Sequence, residues 1–287
     1  MPYYRAAAHA DAAPPATERI GVLLSTARKY RKIWSEGGSP LAVYSRRLAD
    51  KIALRLQSAS ADRVRVALGM AHGNPSLAEA IETLAGQNVR RLLVLPLFPQ
   101  DGSSATGAVF DRASRALQRW RWLPETRFVS GYHDDAGYVG ALCERISEHW
   151  AQAGGRSHLL FIDQRPPPDS AQATSRLVAA RLGLAAEEWS HCYQARFGGS
   201  GWPQPQREDA LRSLAKRGIT TLSLVAPSFA VDGPETLREV AIEWRAYFLA
   251  QGGERLSWVA APNDDDRHAE ALVSIVRNHL KGWTAHS

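Results

Sequence analysis

Short apolar runs rich in Val, Ile and Leu alternate along this chain with longer stretches whose apolar positions recur every three or four residues. The runs at 20–24, 64–70, 89–97, 127–129, 159–162, 191–194, 221–226 and 256–260 read as buried strands. Between them, 41–57 carries Leu41, Tyr44, Leu48, Ile52 and Leu56 at helical spacing, and 75–85 carries Leu77, Ile81 and Leu84. Strands alternating with amphipathic helices imply crossover units and parallel sheets. The expected fold class is α/β, with two Rossmann-like, doubly wound domains whose parallel sheets face a central cleft.

A chain of 287 residues is long enough for two cores. The polar, glycine-containing link after Trp150 is the natural boundary, which predicts a tail over 1–18 and domains over 19–153 and 154–287. A last helix over about 266–281, ending in Arg277, His279 and Lys281, is expected to pack back on the body, its basic residues suiting the negative end of the helix dipole.

Composition narrows the function classes. No apolar run approaches the roughly 20 residues that span a bilayer, so no transmembrane segment is expected. The opening stretch to Thr17 lacks the continuous apolar region of a secretory signal, and a cytoplasmic location is expected. Cys143 and Cys192 lie far apart without a CxxC partner, which argues against a disulfide framework, a four-cysteine zinc site or an iron–sulfur cluster. The net charge of +6 is dispersed over amphipathic helices, so a solvated basic surface is read in preference to a nucleic-acid interface. It remains compatible with peripheral contact to a membrane.

Several motifs carry a resemblance. Tyr30-Arg31-Lys32-Ile33-Trp34 is followed by Gly38-Ser39-Pro40-Leu41, then Gly73-Asn74-Pro75-Ser76, Leu95-Pro96-Leu97-Phe98-Pro99-Gln100 and Ser104-Ala105-Thr106-Gly107. Tyr132-His133-Asp134, Gln194-Ala195-Arg196-Phe197-Gly198 with Trp202, Pro227-Ser228-Phe229 with Asp232, Glu235-Thr236-Leu237 and Asn263 follow in order. Each is weak alone, but together they resemble the ferrochelatases, which insert ferrous iron into protoporphyrin. The resemblance implies a cleft for a porphyrin or haem-like small molecule, ferrous iron as substrate or ligand, and no tightly bound cofactor.

Porphyrin metallation must remove two pyrrole protons, and an imidazole suits that task near neutral pH. The family carries its catalytic histidine after a buried strand; here Leu159-Leu160-Phe161-Ile162 runs into Asp163-Gln164-Arg165-Pro166, and Gln164 stands at the histidine position. A glutamine amide takes no proton at physiological pH. Asp163 could, if burial raised its pKa, or it could cap the next segment or lie exposed in a loop. The resemblance makes Glu235 the acidic residue across the cleft. Glu239 and Glu243 follow at four-residue spacing, either as a metal path with Glu235 or as surface charges paired with Arg238 and Arg245.

The same resemblance implies macrocycle contacts for Gln100, Ser104, Thr106 and Tyr30; His72 could ligate a metal or a haem iron, and Arg28 could pair with porphyrin propionates or form only the polar face of a short helix. For His72, and also for His133 and His191, the plain alternative is a packed or strand-end histidine that only closes a hydrogen bond. Two departures from the family stand out: the segment that forms a lip over the porphyrin is missing between 24 and 30, and the loop after Pro168 is short. Three functions therefore compete. They are an iron-porphyrin chelatase of weakened or altered activity, a non-catalytic porphyrin or haem carrier or sensor, and a chelatase for a different metal or macrocycle.

Overall fold

Two parallel sheets separated in sequence by the 153–157 link organise the chain. The computed structural model describes residues 37–59, 64–71, 73–102, 105–163, 170–193, 207–233 and 235–283, so the strand expected at 20–24 lies outside the described residues. The earlier half contains α1 (Pro40–Ala59), α2 (Leu77–Gly86), β1 (Arg91–Val94), α3 (Thr106–Leu117), β2 (Glu125–Phe128) and α4 (Ala136–Gln152). β1 and β2 pair in parallel, with Arg91 opposite Glu125 and Val94 opposite Phe128.

The strand expected at 64–70 does not form as such. Residues 64–69 have no ladder partner among the described residues, and one parallel bridge joins Met70 to Ser76. Gly69 lies so close to Leu77 that a Cβ there would come within 2.8 Å of the Leu77 Cα, so this stretch is tied to the start of α2. Ser76 caps α2 in a reciprocal capping box with Glu79.

The later half contains β3 (His158–Asp163), α5 (Ser170–Leu182), β4 (Trp189–Tyr193), α6 (Arg207–Lys216), β5 (Thr221–Val225), a π-helix (Glu235–Trp244), α7 (Arg245–Ala250), β6 (Arg255–Trp258) and α8 (Asp266–Leu280). Its strands run in the order β4-β3-β5-β6, all neighbours parallel. β3 is buried at all six positions, as a strand covered on both faces must be. Its side chains alternate between two cores: Leu159 and Phe161 enter one with α4 and α8, Leu160 and Ile162 the other with α6 and α7. Full burial of each such side chain contributes about 1.5–3 kcal/mol.

α4 leaves the first sheet and leads toward the second. Asp135 caps it by accepting from the Tyr138 amide at 2.9 Å, and Tyr138, Leu142, Ile146 and Trp150, four residues apart, are all buried. α8 packs on α4 and on α1. Beyond its end, Trp283 is buried with the Arg127 guanidinium 4.3 Å from its ring centre.

Candidate active site

Both sheets place their functional side chains at the carboxyl ends of the strands, where open parallel sheets bind ligands. From β1 the chain continues through Pro96 and Pro99 to Gln100, all three buried. Gly131 permits this loop to close on the end of β2, since a Cβ there would lie 3.1 Å from the Pro99 carbonyl oxygen. The Tyr132 amide donates to that same carbonyl at 2.7 Å.

Asp163 is the last residue of β3 and has no solvent exposure. The Gln100 side-chain amide donates to its Oδ1 at 3.0 Å, and His191 Nε2 lies 2.5 Å from its Oδ2. Strand register explains the second contact. Phe161 is opposite His191 and Asp163 opposite Tyr193, so side chains of 161, 163, 191 and 193 share one sheet face. The Tyr193 ring meets the imidazole edge-on at 4.7 Å. Burial pushes the Asp163 carboxyl up from its ordinary value, while the hydrogen bonds from His191 and Gln100 act in the opposite direction.

Asp163 is not exposed in a loop: its carboxylate is buried at the end of β3, and among the described residues it is held by Gln100 and His191. Thr106, at the start of α3, is also buried, and its hydroxyl donates to the Gln100 carbonyl at 3.5 Å. Gln100 therefore reaches Asp163, and Thr106 braces the Gln100 backbone. His191, which sequence reading treats only as a strand-end histidine, joins this cluster. The signal was the adjacency of β3 and β4, which no single-strand pattern encodes.

On the other side, Asp232 follows β5 and is almost wholly buried. Its Oδ1 accepts from the Thr236 hydroxyl at 2.8 Å and the Trp258 indole at 3.2 Å; its Oδ2 accepts from the Ala261 amide at 3.0 Å and the Asn263 side-chain amide at 2.8 Å. Four donors hold one carboxylate and fix the first turn of the π-helix against the segment after β6. His268 donates from Nδ1 to the Asn263 carbonyl at 2.7 Å, and burial lowers its pKa to about 4.

Glu235, Glu239 and Glu243 all fall on the π-helix, a rare form that as short bulges is frequent at functional sites. Their four-residue spacing is close to one turn of an α-helix and of a π-helix alike, so the three positions follow one side in either form. Glu243 is half-buried, and the side chains of Glu235 and Glu239 are not among those described. Gln164, His72, Ser104, Arg28 and Tyr30 lie outside the described residues. Among the described residues no three His, Cys, Asp or Glu side chains converge to hold a metal, and no helix is long and apolar enough to cross a membrane.

A cavity of about 1230 Å³ lies among α1, α2, β1 and residues 64–71, and reaches Phe229, Val231 and Gly233 of the later half. Its walls include core positions such as Leu48, Ile52, Leu92 and Val94, and neither Gln100, Asp163 nor His191 lines it.

Comparison with known proteins accounts for this arrangement. The ferrochelatase family model matches residues 22–280. The ferrochelatase of Nitrosococcus oceani is 40% identical over 268 residues, which cover 90% of this chain and 73% of that relative. The ferrochelatase of Hydrogenovibrio crunogenus is 40% identical over 270 residues, covering 90% of this chain and 71% of that protein. Among solved structures, SirB from Bacillus subtilis with Fe3+ superposes with a TM-score of 0.60 at 13% identity, over 87% of this chain and 96% of that one. CbiX, described as the terminal enzyme of sirohaem biosynthesis in denitrifying bacteria, gives 0.56 at 17% identity, over 85% and 96%. At such identities the structural likeness speaks for the chelatase-like fold alone. The match along nearly the whole sequence does more: the chain belongs to the ferrochelatase family.

Proposed function

We propose that this protein inserts ferrous iron into protoporphyrin or a related tetrapyrrole, at a rate lowered by the glutamine that replaces the usual histidine at position 164. The observation that carries this reading is family membership over residues 22–280, together with a carboxylate fixed at the end of β3, one residue before that position. Metal insertion forms bonds from the ring nitrogens to the metal and releases two protons. In this reading Asp163 accepts one proton and solvent the other. Glu235, Glu239 and Glu243 lead the metal in through oxygen ligands, which suit a hard divalent cation. His72, Ser104, Arg28 and Tyr30 contact the macrocycle, and Gln100 and Thr106 support Asp163 from behind. The setting is cytoplasmic.

The test is an anaerobic assay of the purified protein with ferrous iron and protoporphyrin, beside a Gln164→His variant. Slow insertion by the natural chain and a rise of about tenfold or more in the variant are expected, since a positioned base contributes at least that much. No insertion by either protein overturns the reading.

A second reading, a porphyrin or haem carrier without turnover, draws on Gln164 and on the complete burial of Asp163. Tight binding of haem with no metallation across a panel of divalent metals and macrocycles would establish it; turnover with another metal or ring would instead reassign the substrate.

A further inference from the structure

Asp163 is buried at the junction of two sheets, where a carboxyl group left to itself would take up a proton and become neutral. As an uncharged acid it could accept nothing from a porphyrin. What holds it depends on where the hydrogen on His191 resides. The imidazole side chain is 8% exposed, its Nε2 lies 2.5 Å from Asp163 Oδ2, and its Nδ1 is buried with no hydrogen-bond partner among the described residues.

That unpartnered nitrogen decides the tautomer. A hydrogen on Nδ1 would be a buried donor with no acceptor, and would leave Nε2 dependent on a protonated Asp163. A hydrogen on Nε2 leaves at Nδ1 only a bare lone pair, the cheaper defect, and is donated to Oδ2. The Gln100 amide donates to Oδ1 in the same way. Both contacts favour the ionised carboxylate.

We infer that His191 is a positioning residue for metal insertion, holding Asp163 through its Nε2–H as an ionised, fixed proton acceptor in place of the histidine absent at 164. The inference rests on the proposed activity and deepens it. The step balances: as metal–nitrogen bonds replace ring N–H bonds, one proton passes to the Asp163 carboxylate and the other to solvent, with no redox change.

Several titratable groups surround this pair. Tyr193 stands edge-on to the imidazole, and Tyr138 and Cys192 adjoin Asp163; burial pushes the Tyr138 and Cys192 groups up, so both are uncharged at neutral pH. From α6, Arg207 and Glu208 pair with each other. Among the described residues, the charged group in contact with the imidazole is Asp163.

The test compares the intact protein with His191→Leu, which removes the donor, and His191→Gln, which restores one. Loss of the donor should raise the Asp163 pKa, so the acid limb of the insertion rate moves up by about one pH unit or more. The rate near neutral pH should fall about tenfold with little change in KM, and the glutamine variant should recover part of it. A purely packing role would lower the rate without moving the limb, and an unmoved limb overturns the inference. A second readout needs no activity: the Asp163 carboxyl resonance, followed by carbon NMR against pH, should titrate higher in His191→Leu than in the natural protein. If the natural chain inserts no metal, the proposed activity fails by itself. An unshifted Asp163 titration then refutes the role of His191, and a shifted one upholds its hold on the carboxylate. Should the leucine variant fail to fold, the glutamine variant and an Asp163→Asn protein carry the comparison. Asp163→Asn must abolish the acid limb, and its persistence refutes the inference.

Discussion

The two sheets meet the same requirement, covering a parallel ladder with helices, in different ways. In the later half four strands pair side by side, and β3 divides its side chains between two filled cores. In the earlier half β1 and β2 form the ladder among the described residues, residues 64–69 have no ladder partner among them, and a large apolar space adjoins Leu92 and Val94. The contrast matters for function. The four-stranded sheet supplies Asp163, His191 and Asp232, groups whose geometry must be held closely, and the loop after β1 supplies Gln100, which reaches across. A precise constellation is best built on the element least able to yield.

The sharpest way to break this comparison is to truncate equivalent leucines. Leu224→Ala on β5, fully buried in the filled core, should cost about 4 kcal/mol, whereas Leu92→Ala on β1, already facing open space, should cost about 2 kcal/mol. Urea unfolding midpoints of the two variants measure the difference, and equal losses would show that the two halves are packed alike.

A somewhat smaller effect concerns pH. His268 is buried and neutral, with its pKa lowered from 6.5 to about 4. The unfolded chain therefore binds the extra proton first, and stability should fall as pH drops from about 6.5 to about 4, by about 3 kcal/mol in all. His158, likewise lowered to about 4 by burial, adds a loss in the same window. Thermal melts of the natural protein and of His268→Gln across that range should diverge, the variant losing less; parallel curves would place the acid sensitivity elsewhere. The smallest effect should come from Gly131→Ala. The new methyl group would crowd the Pro99 carbonyl and the Asp101 amide, at 3.1 and 3.3 Å, costing about 1 kcal/mol. It would also shift Gln100 from Asp163, a displacement visible as a change in the Gln100 side-chain amide resonances.

Most of the architecture was legible because buried strands and amphipathic helices declare themselves by period. The runs at 159–162 and 221–226 appear as β3 and β5 with small changes at their ends, and the spacing of Leu48, Ile52 and Leu56 gives α1. Residues 64–70 misled because an apolar run specifies burial, not a ladder partner. The π-helix escaped because spacings of four suit either helix form. The candidate site was half legible. Asp163 could be named from its place beside Gln164, but whether it was exposed, capping or locked depended on β4 lying next to β3. His191 carried no motif at all, and its meaning arises only from strand register.

α8 has a consequence of its own. Its buried side chains, among them Leu272 and Val276, belong to the core that α1 and α4 share, and beyond it Trp283 lies under Arg127, a residue of β2. Chain order and spatial order therefore disagree, since the final segment completes the earlier half. A ribosome making this protein cannot finish the first half until α8 and Trp283 emerge, and a fragment cut at the link would leave each piece with an unsatisfied greasy stripe. The molecule should thus assemble and come apart as one cooperative unit, however separable its sheets look on paper.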